Sequence, residues 1–118
     1  MPHTFEITAP GLALHMFSRA DATVVHCTGT LTSGNSALLK SHVKGLLPAT
    51  RRIVLDLTDL SQMDSSGLDV IVGLYISAKN AGSVLELINL SARVRELFSL
   101  TNLLLLFEPC GRSGGRLA

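Results

Sequence analysis

The sequence has almost no aromatic surface: no tryptophan, one tyrosine and four phenylalanines, 4% of 118 residues. A core from such a chain must rest on Leu, Val, Ile and Ala. With 47% hydrophobic and only 16% charged residues, the chain is too apolar to be disordered over most of its length. Cysteine is scarce as well. Cys27 and Cys110 are too few and too far apart for a zinc site or a disulfide framework. The strand-like setting VVHCT reads Cys27 as a buried thiol behaving as a small apolar residue, and Cys110, in the tail, is the more reactive candidate. A bridge between them is not expected in a reducing compartment. Charge of one sign is also missing. Ten Lys and Arg against nine acids leave +1, and the bases stand singly or in pairs such as Arg51-Arg52, which is no nucleic-acid footprint. The longest aliphatic run, Leu103 to Phe107, is far too short to span a bilayer, and MPHTFEITAP lacks the basic and apolar segments of a secretory signal. A soluble, cytoplasmic protein of one domain is the expectation, a length at which folding hides roughly two-thirds of the unfolded surface.

What is present is a succession of short periodic segments. Residues 12–17, LALHMF, and 22–29, ATVVHCTG, alternate as strands around the turn SRAD, an antiparallel hairpin in which His15 and His26 can face each other. After the loop TLTSGN, Leu38, Leu39, Val43, Leu46 and Leu47 fall near helical spacing until Pro48. RRIVLDL, 51–57, has the composition of a buried parallel strand. Leu68, Ile71, Val72, Tyr75 and Ile76 form one face of a helix that Asn80-Ala81-Gly82 ends, with Gly82 as left-handed terminator. SVLELINL, 83–90, is a further strand. Ser91 caps a short helix with Val94, Leu97 and Phe98 inward, and LLLLF, 103–107, closes the series. VLDLTDLS at 54–61 is echoed by VLELINLS at 84–91, which suggests two parallel strands each feeding a helix through a right-handed crossover. The expected fold is α/β, β-β-α-β-α-β-α-β. A mixed central sheet of about five strands carries packed helices, residues 1–11 form an extension, 12–107 the domain and 108–118 a flexible tail.

Functional groups in open parallel sheets gather past the carboxyl ends of the strands. TDLSQMDSSG lies at such an end, ahead of the long helix. Ser66 can cap that helix, with Asp69 three residues on approximating a capping box and favouring the positive end of the dipole. Gly67 would cost about 1 kcal/mol in a helix interior and less near a start, where its missing side chain leaves the neighbouring serine open to a partner. A cap needs one serine, so Ser65, directly after Asp64, is a spare exposed hydroxyl within reach of a kinase. Phosphate there would bring roughly −1.5 to −2 charges beside backbone N–H groups able to hold an anion without refolding the domain.

IVLDLTDLSQMDSSGLDVIVGLY, supported downstream by SARVRELFSLTNL, resembles the single-domain anti-sigma factor antagonists of the STAS superfamily, over residues 12 to 107. The resemblance implies a STAS-type fold and makes Ser65, the hydroxyl after the aspartate of D-S-S-G, the phosphoacceptor, with Ser66 as the alternative. Asp64, Ser66, Gly67 and Asp69 then form the phosphosite loop and helix start. Thr30, Thr32, Met63 and Leu68 become candidates for the partner interface. It further implies a partner-switching cycle. The unphosphorylated protein binds an anti-sigma factor that is also a serine kinase and so releases a sigma factor, phosphorylation ends the binding, and a serine phosphatase restores it. On this view the chain is a substrate and binding module, not an enzyme. Relatives commonly carry G-E-L-D after the second strand, where this chain has Gly29-Thr30-Leu31-Thr32, and many end with a further helix where this tail is short and Gly-rich. STAS-like modules also serve as constitutive scaffold subunits of lipid-transport ATPases or stress-sensing assemblies. The intact D-S-S-G favours the switch, because a scaffold needs no acceptor hydroxyl, and Thr30 and Thr32 weigh the other way.

Other chemistries lack their residues. There is no G-x-S-x-G elbow to make Ser65 or Ser66 a hydrolase nucleophile and no phosphate-cradling G-x-x-x-x-G-K-S/T loop. His3, His15, His26 and His42 have no metal-ligand spacing, so neither catalytic residues, metal nor cofactor is expected.

Overall fold

Period-2 alternation in the first third of the chain builds antiparallel strands, and the β-branched runs further on build parallel ones. The computed structural model describes residues 4–19, 22–47 and 50–101. Its elements are β1 Thr4–Ala9, β2 Leu12–Arg19, β3 Ala22–Leu31, α1 Ser36–Leu46, β4 Arg52–Met63, α2 Ser65–Asn80, β5 Val84–Ile88 and α3 Ala92–Leu100. They form one five-stranded sheet in chain order, β1-β2-β3-β4-β5. β1/β2 and β2/β3 are antiparallel, and β3/β4 and β4/β5 are parallel. The mixed α/β sheet with three helices is the one expected from the sequence.

Two elements differ from expectation. A strand, β1, occupies residues read as an extension, and it is held by full pairing with β2 from Thr4↔Phe17 to Ala9↔Leu12. TFEITA is too short and too mixed to announce a strand by itself, so the partner supplies what alternation does not. Strand β4 runs on to Met63 rather than ending at 57. The polar residues at 58, 59, 61 and 62 that suggested a loop are exposed, while Leu60 between them is fully buried. Pairing with β3 through Leu31↔Met63 holds this stretch extended. The expected strand at 103–107, the tail, Cys110 and His3 lie outside the described residues.

One apolar cluster joins the sheet to all three helices. Leu12, Leu14 and Met16 of β2, Val25 and Cys27 of β3, Ile53, Leu55 and Leu57 of β4, and Leu85 and Leu87 of β5 share one face. Leu39 and Val43 of α1, Leu68, Ile71, Leu74 and Ala78 of α2, and Val94 and Phe98 of α3 close over it. A smaller cluster on the other face unites Ala22, Val24 and Val54 with Phe17 and Ile88, which is why the β4 run is apolar without a break. The echo of 54–61 in 84–91 does mark parallel neighbours, although the sheet pairs Ile53 with Leu85 and Leu55 with Leu87. Gly82 ends α2 as expected, at φ +77. Its N–H donates to the Lys79 carbonyl (3.2 Å) and that of Ser83 to the Ala78 carbonyl (2.8 Å), a Schellman closure. Ser91 caps α3 by accepting from the Val94 N–H (3.4 Å), and its hydroxyl donates to the Leu60 carbonyl (3.0 Å), fastening α3 to β4.

The β3/β4 register shifts twice, between His26 and Thr28 and between Gly29 and Thr30. Polar side chains fill the first shift. The His26 ring nitrogen Nε2 lies 2.9 Å from Asp59 Oδ2 and faces the His15 ring at 6.2 Å, His15 in turn reaching Glu6 at 3.5 Å. Asp56 accepts from the Thr58 amide (3.0 Å), the Thr58 hydroxyl (2.5 Å) and Asn89 Nδ2 (3.3 Å). Partial burial works to raise the Asp56 pKa, but these hydrogen bonds and the nearby His26 outweigh it and hold the carboxyl below its ordinary value.

Burial, reinforced by the Asp56 carboxylate, pushes the Cys27 thiol from 9.0 up to about 12. The folded protein therefore keeps a proton that the unfolded chain releases, so stability is intact below pH 9.0 and falls as pH rises towards about 12. Urea midpoints should show a loss of about 1 kcal/mol between pH 9 and pH 10 that is absent in Cys27→Ala.

Candidate functional site

The start of α2 is held by one side chain. Asp64 is its N-cap, in extended conformation (φ −103, ψ −175), and Oδ1 accepts from the Gly67 N–H at 3.0 Å. Oδ2 accepts from the Ser33 N–H at 3.2 Å, which ties the helix start to the loop between β3 and α1. The Asp64 N–H donates to the Leu31 carbonyl at 3.2 Å, and the Asp64 carbonyl accepts from the Leu68 N–H at 3.1 Å. The cap expected at Ser66 is therefore a residue pair too late. An aspartate reaches the third helical N–H as well as a serine does and has a second oxygen for the neighbouring loop.

This arrangement places both serines inside the helix, at its first and second positions. Ser65 is exposed and Ser66 half-buried. Among the described residues neither hydroxyl has a hydrogen-bond partner, and the backbone N–H groups of both are likewise open. An exposed nucleophilic hydroxyl thus stands beside two unpaired donors at the positive end of a helix of 16 residues. Asp69 is the fifth helical residue, beyond the first turn, so it is not the partner of a capping box.

Gly67 has a different purpose from the one its position suggests. A Cβ there would lie 2.5 Å from the Leu31 carbonyl oxygen, 2.8 Å from Met63 Cγ and 2.9 Å from Leu31 Cγ. The missing side chain lets the chain's own β3 approach the helix, rather than opening the serine to a partner. Met63, half-buried, packs on the core at that contact. Leu68, expected at the interface, is 4% exposed and belongs to the core, so its side chain does not reach the surface. Thr30 and Thr32 lie beside the approach to α2. Thr30, next to last in β3, donates its N–H to the Gly11 carbonyl (2.8 Å), and Thr32 donates its N–H to Asn35 Oδ1 (2.9 Å). Asn35 was not singled out from the sequence. It is 4% exposed, and its Nδ2 also donates to the carbonyls of Pro10 (3.0 Å) and Thr30 (3.1 Å), joining the β1–β2 turn to the loop against α2. An Asn just ahead of a helix normally reads as a cap, and no sequence signal separates the two uses. Among the described residues no group of His, Cys, Asp and Glu is placed to hold a metal, and no helix is long and apolar enough to cross a membrane.

A helix start carrying Asp-Ser-Ser-Gly at the carboxyl end of a parallel strand, on a mixed five-stranded sheet, is the architecture of a STAS domain. The STAS domain family model matches residues 15–113, and the chain belongs to that family. It is 32% identical over 91 residues, 77% of its length and 84% of the relative's, to the anti-sigma-B factor antagonist of Bacillus subtilis (strain 168). An anti-sigma factor antagonist from Mycobacterium paratuberculosis has the same fold, with TM-score 0.74 at 17% identity over 86% of this chain and 87% of that one. So does the anti-sigma factor antagonist SpoIIAA in its unphosphorylated form, with TM-score 0.68 at 23% identity over 88% and 96%. SpoIIAA in its phosphorylated form gives TM-score 0.62 at 23% identity over 76% and 82%. These relatives are anti-sigma factor antagonists.

Three substitutions separate the roles at the helix start. Asp64→Ala should cost about 1–2 kcal/mol through the lost cap. Gly67→Ala should cost about 1–3 kcal/mol, because a backbone carbonyl cannot move out of its way. Ser66→Ala should stay within about 0.5 kcal/mol of the parent. Urea denaturation of the three variants checks the order.

Proposed function

We propose that this protein is an anti-sigma factor antagonist whose binding is switched by phosphorylation of Ser65. The observation that carries this reading is the division of labour at the α2 start. Because Asp64 caps the helix, the exposed Ser65 hydroxyl has no structural duty to lose. A phosphate there would meet the open N–H groups of Ser65 and Ser66 and the positive helix end, so the domain can carry it without refolding. The existence of SpoIIAA in phosphorylated and unphosphorylated forms supports a fold that accommodates the change.

In the cycle, the unmodified protein binds an anti-sigma factor with serine kinase activity in the cytoplasm and frees a sigma factor for transcription. The kinase transfers the γ-phosphoryl group of ATP to Ser65 Oγ, whose proton is released, and ADP leaves. A serine phosphatase hydrolyses the ester and resets the protein. The chain itself acts as substrate and binding surface. A partner covering Ser65 would, after modification, bury a dianion that two N–H groups neutralise only in part, and a penalty of about 3 kcal/mol weakens binding on the order of a hundredfold.

Phosphopeptide mass spectrometry on protein recovered from its native cells should localise the phosphate to Ser65. Ser65→Ala should fold normally and bind the anti-sigma partner constitutively, while Ser65→Asp should bind it about tenfold to a hundredfold more weakly. Phosphate on Ser66 alone would overturn the acceptor assignment, and none under any growth condition would point to a constitutive scaffold.

A further inference from the structure

Between α1 and α2 runs a surface cleft of about 270 Å³. Its floor is apolar, made by the buried Leu74 and half-buried Val70. Gly73 leaves its middle open, since a Cβ at that position would meet nothing within 4 Å. Lys40 and Lys44, one turn apart on α1, line the opposite wall. Both are exposed, and among the described residues neither has an ion-pair partner. Asp69 and Ser77 complete the lining from α2. Each helix returns antiparallel to the parallel strands β3, β4 and β5, so α1 and α2 run in the same direction and both start at the edge of the sheet that carries Ser65.

Ser65, Asp69, Gly73 and Ser77 follow one another at intervals of four along α2, and residues so spaced lie in a single row on a helix. The acceptor hydroxyl is therefore the first member of the row that forms one wall of the cleft. We propose that the cleft is the docking site for an acidic segment with an apolar anchor, supplied by the same partner that covers Ser65. The anchor sits over Gly73 on Val70 and Leu74, and carboxylates of the segment meet Lys40 and Lys44. This inference rests on the Ser65 switch and adds to it: a phosphoserine at the head of the row repels the carboxylates of the docked segment as well as the surface that covers its own oxygen.

The test uses Ser65→Ala protein in its native cells, with photoreactive benzoylphenylalanine placed in separate variants at Ser77 on the cleft wall, at the exposed Gln62 on the Ser65 side, and at Val84 at the opposite end of the sheet as control. Positions 77 and 62 should capture one and the same protein, position 84 should not, and the peptide joined at 77 should contain Asp or Glu beside Leu, Ile, Val or Phe. Lys40→Glu/Lys44→Glu should reduce capture at both positions about tenfold. Gly73→Leu, whose Cβ meets nothing within 4 Å and whose side chain occupies the anchor position, should reduce capture at 62 likewise. Capture at 62 but not at 77, a joined peptide without acids, or capture at 62 indifferent to charge reversal overturns the cleft alone. Silence at both positions overturns it together with the Ser65 switch.

Discussion

A single carboxylate joins the two halves of this structure. Asp64 receives N–H groups from Ser33 and Gly67, which come from opposite sides of a crossover, while its own N–H goes to the carbonyl of Leu31. The β3–α1 loop, the end of β4 and the first turn of α2 are thereby one rigid piece. Everything distinctive about the helix start depends on that. Two serines are released from capping, and Gly67 is required because Leu31, drawn in by the same joint, occupies the place of its Cβ. An ordinary capping serine would satisfy one helix N–H and leave the Ser33 amide without its acceptor.

Much of the fold was legible because its signals are local. Alternation marked β2 and β3, spacing of three and four marked α1 and α2, and Gly82 and Ser91 end and begin helices where their backbone chemistry says they should. His15 and His26, for which ordinary strand-surface positions are the stronger reading from sequence, face each other across the β2/β3 hairpin. The elements that escaped depend on distant partners. TFEITA becomes a strand through β2, and 58–63 remains a strand through β3, in spite of polar residues that favour a loop in isolation. Secondary structure there is imposed from outside, and propensity carries little information about it.

The candidate site was legible in its membership and misread in its division of duties. Asp64, Ser65, Ser66 and Gly67 do stand together at a helix start beside Thr30 and Thr32. Asp, Ser and Gly each have several uses at a helix start, and only three-dimensional position selects one. The cap moved from Ser66 to Asp64, and Leu68 turned inward because it continues the stripe of Ile71, while Asn35, a buried knot, was not singled out at all. The row of Ser65, Asp69, Gly73 and Ser77 is equally hidden in the string of letters, since the apolar face of the same helix dominates its periodicity.

The two register shifts between β3 and β4 act as a gearing between neighbouring strands. At each, β4 advances one residue more than β3. One such step would turn every later side chain of β4 to the opposite face, and the second turns them back. Leu55 ahead of the steps and Met63 after them consequently point to the same core. The segment that delivers Ser65 is thus governed by its length more than its letters. Loss of any one of the residues at 58, 59, 61 and 62 would rotate Asp64 away from Ser33 and aim the helix start in the wrong direction.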